Sequence, residues 1–551
     1  MRNRIWLVAG ALSVCVGLMA AAAPAAPQKA QGQQARVGGT VVIGQDQEPR
    51  VLNTWITEGN QFAATEVVVP LLDAGMRFNN RAVLVPQLMD GQPRIISNKP
   101  FRVRFKYKRA ARWSDGRPVT AADYRFTWQT HMNPKWTITS RAGWEDITRV
   151  QAQGKTVTIT FRRPYAGWKI IAAAAPMPSF HLVGQNFDQA FRNDFRSPRT
   201  GQPISSGPFL FNNWVRGQQI RLVRNPRYWG RNAYLAALVY RPLPDTNTQF
   251  QALRAGEIQL LRPQPQLQIA DIRQDARFRV QSGPEYAWEH IDIQQGEKGH
   301  PALRQRYVRQ ALIAGINRPQ IAQALYRTIA PNLPVLHSVI FKPFEPQYRP
   351  NWQVHQFNQR RAISLLRGAG CTGGPATPGA GGVYTCPNVG RLSFRFHSTA
   401  GNQLRELAFE IMQTQLRSVG IEIRSNFGPA SHVFGTVLPS GDWDLFLFTW
   451  VGSPTSPIFQ KNLHACGGDQ NYMNYCNQAV TRLLNQVENT INDAQRTVLL
   501  NRADAQISAD IPTIPLFARP GFVIHRTNIR NILRNPTQAS TQWNAVNWWV
   551  G

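Results

Sequence analysis

Acidic side chains are scarce in this 551-residue chain: 31 Asp and Glu stand against 62 Lys and Arg, a formal charge of +31. A balance this basic raises polyanion binding first, nucleic acid above all. The cations form no long run, however, and arginine, about five times as frequent as lysine, is scattered along the whole length. Scattered arginine reflects either a sequence-wide coding preference or a surface adapted to an anionic envelope, so nucleic acid is not among the expected partners. Long apolar runs are also missing. The one at Ile5 to Ala20 opens the chain and is short for a bilayer span, and no later stretch approaches the ~20 apolar residues such a helix needs. Catalytic signatures are absent too: there is no Gly-x-Ser-x-Gly, His-Glu-x-x-His or calcium-loop pattern, and carboxylates are too thinly spread to nominate a glycosidase pair. The glycine-rich stretch 370 to 382 is followed by no Gly-Lys-Ser/Thr, which excludes a phosphate cradle. No catalytic residue, metal or cofactor is expected, and no repeat of twenty to fifty residues is visible.

What is present begins with an export signal. Met1-Arg2-Asn3-Arg4 is basic, Ile5 to Ala20 is apolar, and Ala21-Ala22-Ala23 or Ala23-Pro24-Ala25-Ala26 offers small residues for cleavage. Residues 1–26 therefore read as a signal peptide and 27–36 as a flexible leader, which puts the mature chain in the periplasmic or extracellular envelope space. Leu12-Ser13-Val14-Cys15 has the outline of a lipid-attachment box, but Val14 is bulky where a small residue is wanted, so anchoring through Cys15 is the lesser alternative. Four cysteines remain after cleavage, Cys371, Cys386, Cys466 and Cys476, with three possible pairings. The local pairing, 371 with 386 and 466 with 476, is expected, because the first pair brackets a Gly-rich loop and the second a loop containing Gly and Asn; each bridge would contribute ~3 kcal/mol. A metal site is the rival, with His464 beside Cys466, but no Cys-x-x-Cys spacing supports it.

With 43% apolar residues and 17% charged, the chain can bury a sizeable core. Its most legible stretch is 79 to 134. Residues 101 to 107 alternate Phe, Val, Phe, Tyr with Arg, Arg, Lys, the period of a strand with one buried face. Ser114-Asp115-Gly116 supplies a turn, and Thr120-Ala121-Ala122-Asp123 starts a helix with the spacing of a capping box. Further strands are expected at 38 to 44, 155 to 161, 421 to 424 and 444 to 450, and helices at 62 to 72, 301 to 316, 362 to 367, 404 to 419, 476 to 489 and 493 to 509, the last two leading into Ile514-Pro515-Leu516-Phe517.

The blocks Leu84-Val85-Pro86-Gln87-Leu88 and Trp113-Ser114-Asp115-Gly116-Arg117-Pro118-Val119-Thr120-Ala121-Ala122-Asp123 resemble the signature region of the extracellular solute-binding proteins of family 5, the peptide- and nickel-binding subunits of ABC importers. Asn225-Pro226-Arg227-Tyr228-Trp229, the segment Asp245 to Ile258, and Val308-Arg309-Gln310-Ala311-Leu312 with Ile316-Asn317-Arg318 are family-like too, in the right order. The resemblance implies an α/β, two-lobed periplasmic-binding-protein-like fold of class II type, with an extra α+β domain inserted in the first lobe. Lobe 1 would comprise 37–77, 204–285 and 518–551, the insert 78–203, and lobe 2 286–517, with the chain crossing near Tyr286 and Phe517. It implies a monomeric receptor that takes a peptide or peptide-like solute by lobe closure and delivers it to the permease subunits of an ABC importer.

The same resemblance nominates ligand residues. Glu58, Asn60 and Gln61 fall where the family borders its cavity, although from the residues alone a plain surface turn is the better reading. Trp450-Val451-Gly452-Ser453, with Ser456 just beyond, resembles the family's cleft segment. Many peptide binders carry an aspartate there that pairs with the ligand's α-ammonium, and the matching position here is Ser453. A neutral hydroxyl cannot replace a charge partner. Trp288 and Glu289 sit at the expected crossing, Glu289 as a substitute charge, and His397 follows a strand as a candidate hydrogen-bond partner. Two alternatives remain: a non-peptide ligand such as a nickel chelate, opine, sugar or small anion, and a secreted envelope enzyme or polyanion-binding protein.

Overall fold

Two long strands, Phe278–Ile293 and Thr513–Arg526, lie side by side at the centre of a ten-stranded mixed sheet in the computed structural model, which describes residues 35–551. The expected signal peptide, Cys15 and all but the last two leader residues lie outside the described residues. On one flank of the pair come Leu445–Val451, Ser393–Thr399 and Glu422–Gly428; on the other come Leu260–Leu261, Thr40–Gln45, Ala237–Pro242, Gln219–Arg224 and Phe209–Val215. Residues 445 to 448 are apolar on consecutive positions because both faces of that strand are covered.

The ladder between the two long strands is broken by its own sequence. Gly283 and Pro284 face Gly521 and Pro520, and pairing resumes only at Trp288 with Ala518. Two prolines directly opposite each other remove both backbone donors, so no regular pair can form there. Glu285, in the unpaired gap, is 1% exposed and gathers three arginines: Arg262 donates to its two oxygens at 2.8 and 2.9 Å, Arg519 lies at 3.6 Å and Arg534 at 4.0 Å. Gly521 makes room for this carboxylate, since a Cβ there would come within 2.0 Å of Glu285 Oε1.

Buried apolar side chains form two clusters, which meet at the long strands. One holds Leu312, Trp352, Phe396, Trp443 and Ile514; the other holds Tyr107, Phe161, Tyr240, Val523 and Trp548. Part of the second cluster is a four-stranded antiparallel sheet, Arg94–Asn98, Phe101–Lys106, Thr156–Phe161 and Ile147–Gln153, with helix Ala121–Met132 against it. The helix begins as its sequence dictates: Asp123 Oδ2 accepts from the Thr120 backbone N–H at 2.7 Å. Tyr124 packs edge-on against Phe105 at 5.1 Å.

Both local disulfides are formed, Cys371 with Cys386 and Cys466 with Cys476. That removes the thiolates the rival metal reading needs. One long strand was not expected: Ile514-Pro515-Leu516-Phe517 begins a fourteen-residue strand, hidden by Pro515 and Pro520. Two element expectations need correction. The expected helix from 301 to 316 is a short 3₁₀ turn, Pro301–Arg304, then a helix Arg306–Gly315, split by extended Gln305. The helix expected at 362 to 367 starts earlier, at Gln359, because Asn358 caps it by accepting from the Arg361 N–H at 2.8 Å.

Glu285→Gln leaves three guanidinium groups around a neutral amide, and breaking a buried charge cluster in this way costs ~3 to 5 kcal/mol. Urea unfolding should show that loss for Glu285→Gln and a comparable one for Gly521→Ala; a change below ~1 kcal/mol for both would mean that the cluster does not hold the strands together.

Candidate functional site

The break in the ladder opens beside a cavity of about 540 Å³, within the range of small-molecule sites. Register builds its aromatic wall, because Trp288 pairs directly with Trp450 on the neighbouring strand. Trp288 is buried, with His290 stacked on it at 4.3 Å and Lys342 Nζ 4.8 Å from the ring centre. Trp450 is half-buried and lies nearly parallel to Tyr472 at 6.3 Å. Tyr286, in the gap, is pinned by backbone bonds from its own N–H to Pro536 O and from the Gly452 N–H to its carbonyl.

Charge lines the remainder. Glu66, on helix Phe62–Val68, is 6% exposed; Gln45 Nε2 donates to its Oε2 at 3.1 Å and its other oxygen has no protein partner. Burial pushes its carboxyl up to about 7, with Arg262 pulling the other way. Arg262 stands over the Phe62 ring at 4.4 Å. Its burial alone would weaken the guanidinium, but Glu285 and Glu66 together hold it above its ordinary value. Arg519 is 7% exposed and, apart from its 3.6 Å approach to Glu285, makes no hydrogen bond among the described residues, its Nε buried and unmet. Lys342 is 5% exposed, with no ion pair to its ammonium, and burial lowers it to about 8. Glu345 is raised by burial, and its Oε2 accepts from the Lys342 backbone N–H at 2.7 Å.

The far side of the cavity is closed by contacts between chain segments more than 300 residues apart. Ser140 Oγ donates to Asn462 Oδ1 at 3.2 Å, the Arg141 N–H to Asp469 at 2.7 Å, and the Ala166 N–H to the Glu488 carbonyl at 2.6 Å. Lys461 Nζ bridges Glu145 at 3.3 Å and Glu488 at 3.1 Å.

A family model for bacterial extracellular solute-binding proteins, family 5, matches residues 84–471. The chain belongs to that family. The oligopeptide-binding protein AppA of Bacillus subtilis is 23% identical over 98% of this chain and 96% of its own length. The solved structure of AppA with a nonapeptide covers 94% of this chain and all of that one, at TM-score 0.83 and 20% identity. A periplasmic EDTA-binding protein, EppA, covers 94% of this chain and 97% of its own, at TM-score 0.82 and 20% identity. The fold is accordingly the two-lobed α/β fold of periplasmic binding proteins.

Asn60, Gln61, Trp288, Trp450, Val451, Gly452, Ser453 and Ser456 all line the cavity. Gln61 accepts from the Arg50 N–H at 2.9 Å while its Nε2 is buried without a partner. Ser453, where the resemblance led an aspartate to be expected, is 2% exposed; its hydroxyl meets Thr455 Oγ1 at 3.0 Å and its N–H donates to Ser456 Oγ at 2.9 Å. Three nominated residues lie elsewhere. Glu58 is held between Arg50 and Arg192, which together outweigh its burial and lower its carboxyl. Glu289 is not a spare charge: Arg405 Nε donates to it at 2.6 Å and the Thr449 hydroxyl takes its second oxygen, and against the cost of burial these partners keep it ionised. His397 stacks on Phe446, bonds Asn426 at 2.8 Å, and is lowered by burial to about 4. The sequence reading missed Glu66, Arg262, Lys342 and Arg519. Only Glu66 carried a signal, as the one charge in the apolar run 62 to 72.

Lys461→Met tests the closing contacts. Burial raises the Glu488 carboxyl and Lys461 opposes that rise; without the lysine, Glu488 must take up a proton or remain a buried, unpaired anion. A carboxyl whose folded pKa is raised favours folding at low pH and loses that contribution as pH climbs through the folded value. The substitution should therefore cost about 2 to 3 kcal/mol at pH 8 and distinctly less at pH 5, discounted for the partial exposure of Lys461. Thermal unfolding at the two pH values measures this, and an equal loss at both would contradict it.

Proposed function

We infer that this chain is the solute receptor of an ABC importer, exported and monomeric, which captures a short peptide or peptide-like solute between two lobes and passes it to permease subunits in the membrane. It hydrolyses nothing itself. The cavity carries the reading: it has the volume of a small-molecule site, and its walls combine paired indoles with buried charges the chain leaves partly unmet. The names of the relatives support it, AppA being an oligopeptide-binding protein solved with a nonapeptide. The lobes are 37–77 with 204–285 and 518–551, and 286–517, with 78–203 inserted. The Pro284–Pro520 break is the hinge, because bending there disrupts no ladder bonds.

Within the cavity Glu66 takes the role that Ser453 cannot, as partner for a ligand ammonium, and Lys342 with Arg519 receives a carboxylate. A second reading, a non-peptide anion, is favoured by one observation: the two cations are buried with donors free, while the aspartate position is a serine.

Melting temperature in the presence of di- to pentapeptides, their N-acetylated forms and small polycarboxylates separates the readings. A ligand at a hundred times its Kd adds ~2.7 kcal/mol. Free-amine peptides should bind more tightly as pH rises through about 7, where Glu66 loses its proton and gains the charge that pairs with an ammonium, and Glu66→Gln should flatten that dependence. Binding of amine-free anions alone, with no such pH dependence, establishes the second reading, and no shift with any of them defeats the receptor reading.

A further inference from the structure

The outer face of the four-stranded sheet is a plane of unpaired cations. Along Phe101–Lys106 the residues pointing away from the core are Arg102, Arg104 and Lys106, since Phe101, Val103 and Phe105 are buried. Strand register then fills the face. Arg94 lies directly opposite Arg104, whose other neighbour is Thr158, with Gln151 beyond. Ser97 lies opposite Arg102, followed by Thr160 and Arg149. Among these positions there is no acid. None of Arg94, Arg102, Arg104, Lys106 and Arg149 makes an ion pair among the described residues; Asp90, whose backbone N–H donates to the Lys106 carbonyl, makes none either. Arg102 Nε is buried with no hydrogen-bond partner, and Arg104 Nε reaches only Thr158 Oγ1, at 3.3 Å.

Like charges directly opposite in a sheet repel, so this face is in tension unless an anionic surface meets it. Its composition narrows the choice of surface. None of the positions that register places on this face is aromatic, so a sugar or base has no ring to stack on and a single polymer strand has nothing to grip but charge. At its edge strand Ile96, in the irregularity between Ile95 and Ser97, stands 39% exposed, an apolar contact that suits the headgroup region of a bilayer. We propose that this sheet face docks the receptor on an anionic lipid surface, through Arg94, Arg102, Arg104 and Arg149 with Ile96 at the margin. The inference stands independently of what the cavity binds. A receptor resting on the membrane by this face searches for its permease in two dimensions, and salt weakens the contact within a Debye length.

The test is flotation of the mature chain with vesicles of phosphatidylcholine alone and of phosphatidylcholine with one third phosphatidylglycerol, at 0.15 M salt. Binding only to the anionic vesicles is expected, falling on the order of tenfold or more in Arg94→Gln/Arg104→Gln/Arg149→Gln. A control with equal charge loss, Arg360→Gln/Arg361→Gln/Arg367→Gln on the exposed face of helix Gln359–Gly368, should bind nearly as wild type. The sheet variant should melt no lower than wild type, since relieving like-charge pairs does not destabilise the fold. An equal loss in both variants, no binding to anionic vesicles, or tighter capture by a soluble polyanion such as dextran sulfate with the same dependence on the sheet arginines would overturn the proposal.

Discussion

One buried carboxylate serving three arginines sets the terms for the rest of this structure. Glu285 sits where two proline-containing strands cannot pair, and it ties Arg262, Arg519 and Arg534 to the gap. A lone buried charge would be intolerable there, and three guanidiniums without it more so. The gap is therefore held by electrostatics where hydrogen bonding fails. Such a junction keeps the two apolar clusters attached while leaving their connection without a regular ladder, which is what a hinge requires.

The same cluster shapes the cavity. Arg262 and Arg519 face both Glu285 and the ligand space, so one carboxylate divides its charge between groups that also line the site. With Lys342 nearby and no ion pair to its ammonium, the walls are poised for a solute that brings negative charge of its own. Ser453 fits this picture: its position is neutral and its hydroxyl is turned into a local network, while Glu66, from the helix at 62 to 68, is a cavity carboxylate with only one oxygen taken by a hydrogen bond among the described residues.

How far the sequence could be read follows from the distance over which each feature is determined. The turn and helix at 114 to 132 were legible because every partner is local: Asp115 Oδ1 accepts from the Arg117 N–H, Gly116 adopts φ +92°, and Asp123 caps Thr120. The local disulfides were legible for the same reason. The second long strand was not, since prolines conceal a strand whose pairing depends on a segment more than 200 residues away. Trp288 and Trp450 were found as motif neighbours, but their direct pairing is a matter of register. Glu289 was misassigned because its partner Arg405 lies 116 residues along the chain, and nothing local announces that the charge is already matched.

Mass spectrometry of the solute released when the purified receptor is denatured tests the central claim most directly, with wild type run beside Lys342→Met and Arg519→Met. The account predicts a single small solute carrying a carboxylate or other anionic group, present in wild type and depleted in both variants. A neutral solute, or one retained equally by all three proteins, would contradict it.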